Sequence, residues 1–255
     1  MGPPSHLLLS SDDPSPVNVL NQGGRSRFLL LGDHAGRAIP KSLGDLGLPP
    51  QALDLHISWD IGVAGLGRYL SGMLDACLIS QTYSRLVIDC NRRLTDPSSI
   101  PVVSDGINIP GNLGLIAEDV AARQCEIYQP YHGAIAAELD RRAAREDATV
   151  LVSLHSFTPV FQGFVRPWQF GVLHRNDSRL SSRMLARLKV ELGVAAGDNQ
   201  PYALDEKDNT VPLHADPRQL DYLELEVRQD LIASQEGQAD AARMIKRLLT
   251  EAQST

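Results

Sequence analysis

The chain has 255 residues, of which 43% are hydrophobic and 22% charged, a balance that suits one globular domain and excludes extended disorder. A formal charge of -7 excludes a general nucleic-acid binder, because phosphate contacts require a surplus of Lys and Arg. No run approaches the roughly 18 apolar residues that cross a bilayer, and Asp12 and Asp13 stand where a signal peptide carries basic residues, so a cytoplasmic protein without membrane attachment is expected. Cys77, Cys90 and Cys125 are odd in number and widely spaced, which gives neither a disulfide framework nor a thiolate metal site.

Residues 1–25 hold Pro, Ser, Asn and Gly without periodicity and read as an N-terminal arm, and residues 26–255 read as a single domain. The apolar run Arg27–Leu31, ended by Gly32, predicts a buried strand that delivers Asp33 and His34 into a loop. Residues 62–76 have apolar positions at helical spacing, and residues 77–80 and 85–90 predict two strands joined by a turn. Prolines and glycines through residues 95–114 predict a long loop, and residues 116–144 a long amphipathic helix with a break near Pro130. Thr149–Leu154 is a β-branched run that predicts a central strand leading to His155. Strands over 170–173 and 222–228 and helices over 179–192 and 239–252 complete a layered α/β domain with a largely parallel or mixed sheet. Sites in such sheets gather at the carboxyl ends of strands, where His34 and His155 are both placed.

Two strand-end histidines suit one metal ion, since imidazole is a common neutral ligand and a catalytic zinc takes three protein ligands with a fourth position open. The cluster LDLHISWDIG offers Asp54, His56 and Asp60 as the third, with Asp60 favoured because it directly precedes a helical segment. In SRLVIDCNRR, period-two alternation puts Arg85, Asp89 and Asn91 on one strand face with Arg92 beside them. A guanidinium there can polarise a carbonyl, and an Asn-Arg pair can clamp a carboxylate. In LELEVRQDL, Glu224, Glu226 and Arg228 share a face; Glu226 is the candidate general base, and Arg228 can project toward the same site. Cys90 as a nucleophile is disfavoured by its neighbour Asp89, which raises a thiol pKa.

Taken together and in order from Gly32 to about Ile232, the segments DHAGRAIP, WDIG, YSRLVIDCNR, LHSF, RPW and LELEVRQDL resemble the N-formylglutamate amidohydrolase family. That family is related to the zinc carboxypeptidases and aspartoacylases. The resemblance implies a three-layer α/β/α sandwich with a mixed, largely parallel central sheet, phosphorylase/hydrolase-like in type, and hydrolysis of a small acidic N-acyl amino acid. For N-formyl-L-glutamate the products would be formate and glutamate, a late step of one route of histidine degradation.

The resemblance further implies Zn2+ held by His34 and His155, Glu226 activating water and Arg85 polarising the carbonyl. It makes Asn91 and Arg92 the carboxylate anchor, with His214 against substrate or transition state and Arg166 and Trp168 at the pocket mouth. The wider superfamily takes a ligand from a Glu three residues after the first His, a position held here by Arg37, which cannot ligate zinc. The WDIG match puts Asp60 in that role.

Overall fold

The computed structural model describes residues 7–175 and 178–253; the first six residues of the arm lie outside them. Seven strands make one sheet: β1 (Val17–Leu20), β2 (Phe28–Gly32), β3 (Cys77–Gln81), β4 (Val150–Phe157), β5 (Phe170–Leu173), β6 (Ala196–Asp198) and β7 (Asp221–Arg228). Their order is β1-β3-β2-β4-β7-β5-β6. The central four, β3, β2, β4 and β7, run parallel, while β1 lies antiparallel on β3 and β5 antiparallel on β7.

Alternation along the strands sorts the side chains into two cores. On one face Leu30, Val152, Leu154, Leu223 and Leu225 pack against α1 (Val63–Leu74), α4 (Arg179–Leu192) and α6 (Gln235–Gln253) through Leu66, Leu70, Met184, Leu188, Ile245 and Leu249. On the other, Leu29, Leu31, Ile79, Leu151 and Tyr222 meet Tyr131, Ile135 and Leu139 of α3 (Gln129–Ala143), with α2 (Ala117–Arg123) preceding it and α5 (Thr210–Ala215) beside it. The result is a three-layer α/β/α sandwich. Each fully buried Leu or Ile contributes roughly 1.5–3 kcal/mol of apolar burial. The second face changes character along β4 and β7: Leu151 and Tyr222 give way to Ser153, His155, Glu224 and Glu226, all buried. Polar groups on this stretch of sheet mark where the core ends and the site begins.

Several local expectations are corrected. Within the stretch read as an arm, Val17–Leu20 pairs with β3 as an edge strand, a half-exposed four-residue element that carries no apolar alternation. Residues 85–90 form no strand; Val87 N–H bonds the Ser84 carbonyl and Arg92 N–H the Asp89 carbonyl, so the segment is a chain of turns despite its apolar alternation. Strand β4 continues through Phe157, so His155 lies within it. Between α2 and α3 the helix widens into one π turn, Gln124–Tyr128, which accommodates Pro130 without ending the helix. The 95–114 segment contains a two-stranded hairpin, Val103–Ser104 with Ile107–Asn108.

Gly62, just before α1, has φ of +87°, and a Cβ there would lie 2.2 Å from the Ile232 carbonyl oxygen. That conformation lets the chain turn into the helix immediately after Asp60. Gly62→Ala is therefore expected to destabilise by about 2 kcal/mol or more. Gly72→Ala, at an exposed helical position with nothing within 4 Å of its Cβ, should instead stabilise by about 0.5–1 kcal/mol. Paired thermal melts check both signs.

Candidate active site

The segments that leave the sheet converge through backbone bonds. Asp60 N–H donates to the His34 carbonyl at 2.9 Å, Arg85 N–H to that of Ser58 at 3.2 Å, and Ser84 N–H to that of Ala38 at 2.8 Å. The side-chain carbonyl of Asn91 accepts from the backbone N–H groups of Asn209 (3.0 Å) and Thr210 (2.9 Å), fixing the start of α5 to the same centre.

At that centre His34, Asp60 and His155 are buried with their ligand atoms within 4.8 Å of one another. Asp60 Oδ2 lies 3.1 Å from His155 Nδ1 and 3.5 Å from His34 Nδ1, and accepts the Ser156 N–H at 3.1 Å. The opposite nitrogen of each imidazole meets an acid: His34 Nε2 is 2.7 Å from Asp89 Oδ1, and His155 Nε2 is 3.4 Å from Asp33 Oδ2 and 3.1 Å from Ser153 Oγ. Asp33 is held in turn by the Thr210 hydroxyl, which donates to it at 2.6 Å. His34 Nδ1 has no hydrogen-bond partner although buried. Two imidazole Nδ1 atoms and a carboxylate oxygen facing one point, each imidazole backed by an acid, form a donor set that fits a zinc-type ion.

The electrostatics follow from crowding charges among buried side chains. Burial pushes the His155 imidazole down, but the Asp33 and Asp60 carboxylates outweigh it and raise its pKa well above the ordinary value. His34 is lowered by burial and by Arg85, and Asp89 and Asp60 reverse the sign. Against the burial that would raise them, the histidines hold Asp60 and Asp33 well below the usual carboxylate range. Glu226, directly opposite His155 in the β4–β7 register, is pushed up to about 7 by burial, and Glu224 to about 8. One oxygen of each glutamate has no partner.

These groups open into a cavity of about 390 Å3 lined by His34, Asp60, His155, Arg85, Asn91, Arg92 and Glu226, with His56, Tyr202, Lys207, Asp208 and Glu224 among its other walls. Arg85 donates to Asp89 at 2.7 Å and approaches Asp60 at 3.5 Å; Arg92 donates to Asp208 at 3.0 Å. Arg37 lies outside, paired with Asp54 at 2.9 Å, so Asp54 is not brought to the histidines. His56 stays at the cavity wall, 3.4 Å from Asp105 at the tip of the 103–108 hairpin.

Two predicted residues are not brought in. Arg228 is engaged by Asp230 at 2.8 and 3.1 Å and by the Trp168 carbonyl, and does not line the cavity. Its strand alternation is right, but β7 has left the site by that residue. His214 is buried against His132, 3.0 Å from its Nδ1, and is likewise not part of the lining. Cys90 is fully buried beside Gln81, and burial pushes its thiol well up, which removes it as a nucleophile. Sequence reasoning missed Asp33 and Asp89 as the acids behind the histidines. Asp33 directly precedes His34 and Asp89 stands two residues before Asn91 in SRLVIDCNRR, so the signal was an acid without an assigned task close to an expected site residue.

The fold and this cluster define an α/β/α protein with a buried His34–Asp60–His155 cluster that could hold a metal ion. Residues 26–233 match the model of the N-formylglutamate amidohydrolase family, and the chain belongs to that family. Among solved structures, a gene product of Agrobacterium tumefaciens, Atu2144, shares 37% identity over 97% of this chain and 98% of its own, with a TM-score of 0.93. N-formylglutamate amidohydrolase from Ralstonia eutropha JMP134 shares the fold at 20% identity and a TM-score of 0.67, over 94% of this chain and 98% of its own. No curated protein matches the chain.

Asp60→Asn should weaken zinc binding by at least about 100-fold and Asp89→Asn by about 10–100-fold, with Asp54→Asn neutral, as read by competition with a chromophoric chelator. Because the raised imidazoles hold protons that the ion must displace, affinity should rise with pH, and the rise should continue above the range where an ordinary imidazole titrates. A pH-independent affinity would contradict the arrangement.

Proposed function

We propose that the chain is a zinc-dependent amidohydrolase that cleaves N-formyl-L-glutamate, or a similar acidic N-acyl amino acid, to formate or another acid and the free amino acid. The observation that carries this reading is the convergence of His34 Nδ1, His155 Nδ1 and Asp60 Oδ2, beside a buried glutamate with a free oxygen. Family membership supplies the reaction class. In this reading His34, Asp60 and His155 hold the ion, which when bound acts as a Lewis acid that makes water acidic and polarises the carbonyl.

The remaining chemistry belongs to the chain. Glu226, whose carboxyl titrates near neutrality, takes a proton from water as the oxygen attacks the acyl carbon. The carbonyl oxygen gains negative charge, and Arg85, at the cavity wall beside Asp60, stabilises it by hydrogen bonding. As the C–N bond breaks, Glu226 returns its proton to the departing amine nitrogen. Arg92, with Asn91 fixing the 208–210 backbone behind it, receives the amino acid's α-carboxylate; for this the Arg92–Asp208 pair must exchange one carboxylate for another.

Asp89 and Asp33 orient the imidazoles and keep their outer nitrogens occupied. His214 and Arg228 take no part. Among the described residues no helix is long and apolar enough to cross a membrane. The reading places the protein in the cytoplasm, in keeping with three free cysteines.

Chelation should abolish formate release from N-formyl-L-glutamate and added zinc should restore it. Glu226→Gln should lower kcat by about 10^2–10^4-fold while leaving bound zinc unchanged. Undiminished turnover in metal-free protein, measured by coupled formate oxidation, would overturn the mechanism.

A further inference from the structure

Arg166 is 4% exposed and carries a charge that no carboxylate answers among the described residues. Its guanidinium lies 4.8 Å from the Tyr202 ring centroid, 4.9 Å from that of Phe161 and 5.7 Å from that of Phe157. It donates to the Thr158 carbonyl at 3.2 Å and to the Tyr202 hydroxyl at 3.0 Å. A buried cation without a counter-ion is costly unless something anionic completes it, and aromatic faces answer only part of that cost.

Tyr202 is where the charge reaches the substrate. It lines the cavity that holds His34, Asp60 and His155, whereas Arg166 stands behind it. The Tyr202 oxygen accepts from Arg166, and its own hydrogen goes to no acceptor among the described residues. Tyr202 is 43% exposed; its partial desolvation, then Glu226, raises the phenol's pKa, so the hydroxyl keeps its proton. Accepting from a guanidinium polarises an O–H and makes it a stronger donor.

We infer that Tyr202, with Arg166 behind it, forms a second carboxylate subsite in the cavity, taking the side-chain carboxylate of an acidic N-acyl amino acid while Arg92 takes the α-carboxylate. Tyr202 is the contact residue and Arg166 a positioning residue that acts through its hydroxyl. The assignment of the α-carboxylate to Arg92 rests on the proposed function; the subsite itself rests on the unanswered charge and the unspent donor. It gives a physical reason for a dicarboxylic substrate. A neutral side chain would leave the guanidinium without an anion, one lacking an acceptor would forgo the O–H contact as well, and sites built to hydrogen-bond a group discriminate strongly against analogues that lack it.

The test is calorimetry on the full chain as purified, with glutarate and its monocarboxylate analogue pentanoate as probes. Wild type should bind glutarate at least about 10-fold more tightly, the ordinary worth of a hydrogen bond to a charged group. Tyr202→Phe and Arg166→Met should each bring that ratio within about 3-fold without weakening pentanoate. The double variant should be no worse than either single one, because both remove the same contact. Tyr202→Phe preserves the ring, so the question stays answerable if Arg166→Met does not fold.

In turnover, kcat/KM for N-formyl-glutamate should fall by about 10-fold or more in Tyr202→Phe, against about 3-fold or less for N-formyl-norvaline, whose side chain offers no acceptor. A glutarate preference that survives both variants, or an equal loss for both probes, would overturn the subsite and leave Arg166 a brace for the 158–166 turn. If wild type hydrolyses neither formyl substrate, the proposed activity fails while the glutarate ratio still decides the subsite.

Discussion

The carboxylate of Asp60 is the constraint on which the rest of the site depends. It is buried between two imidazoles, accepts a backbone N–H from Ser156 and stands 3.5 Å from Arg85. An isolated charge in that position would be expensive. The surrounding cations and dipoles make it tolerable, and so the chain must bring His34, His155 and Arg85 to one place. Gly62 allows the backbone to enter α1 directly after the carboxylate, and the Asp60 N–H bond to the His34 carbonyl ties two loops that are far apart in sequence. Geometry and charge are thus set by the same few residues.

Behind each imidazole stands a carboxylate that holds it. Asp89 and Asp33 fix which imidazole nitrogens face the cavity, and Thr210 and Ser153 hold Asp33 in place. Asn91 then links this layer to the 208–210 segment, so the wall carrying Asp208 is positioned by the same strand-end loops as the candidate ligands. Buried networks of this kind are stiff when fully satisfied. Three of the buried side-chain atoms without a partner, His34 Nδ1 and one oxygen each of Glu224 and Glu226, belong to residues that line the cavity.

Much of this was legible in the sequence because it depended on local rules. The runs ending at His34 and covering His155 read as buried strands from their apolar content, and the acidic–apolar alternation of β7 put Glu224 and Glu226 on one face. Asp60 was separable from Asp54 and His56 by its place before a helix, and the structure brings Asp60 alone of the three to the histidines. What failed depended on tertiary contacts. Residues 85–90 alternate like a strand but have no strand to pair with, and their backbone N–H groups are taken by a turn at Val87 and by the distant Ser58 and Ser99 carbonyls. Val17–Leu20 has no strong pattern and becomes a strand because β3 offers an open edge. His214 and Arg228 lie near the site in sequence pattern, yet one finds His132 and the other Asp230. The acids behind the histidines had no pattern beyond adjacency, since their roles arise only when four loops meet.

The most direct test of the account is a crystal structure of the zinc-soaked protein with anomalous scattering recorded at the zinc edge. A single peak at about 2.0–2.2 Å from His34 Nδ1, His155 Nδ1 and an Asp60 carboxylate oxygen, with a fourth position open toward Glu226, is the predicted result. An ion held through the Nε2 atoms, or a peak elsewhere with this cluster empty, would contradict it.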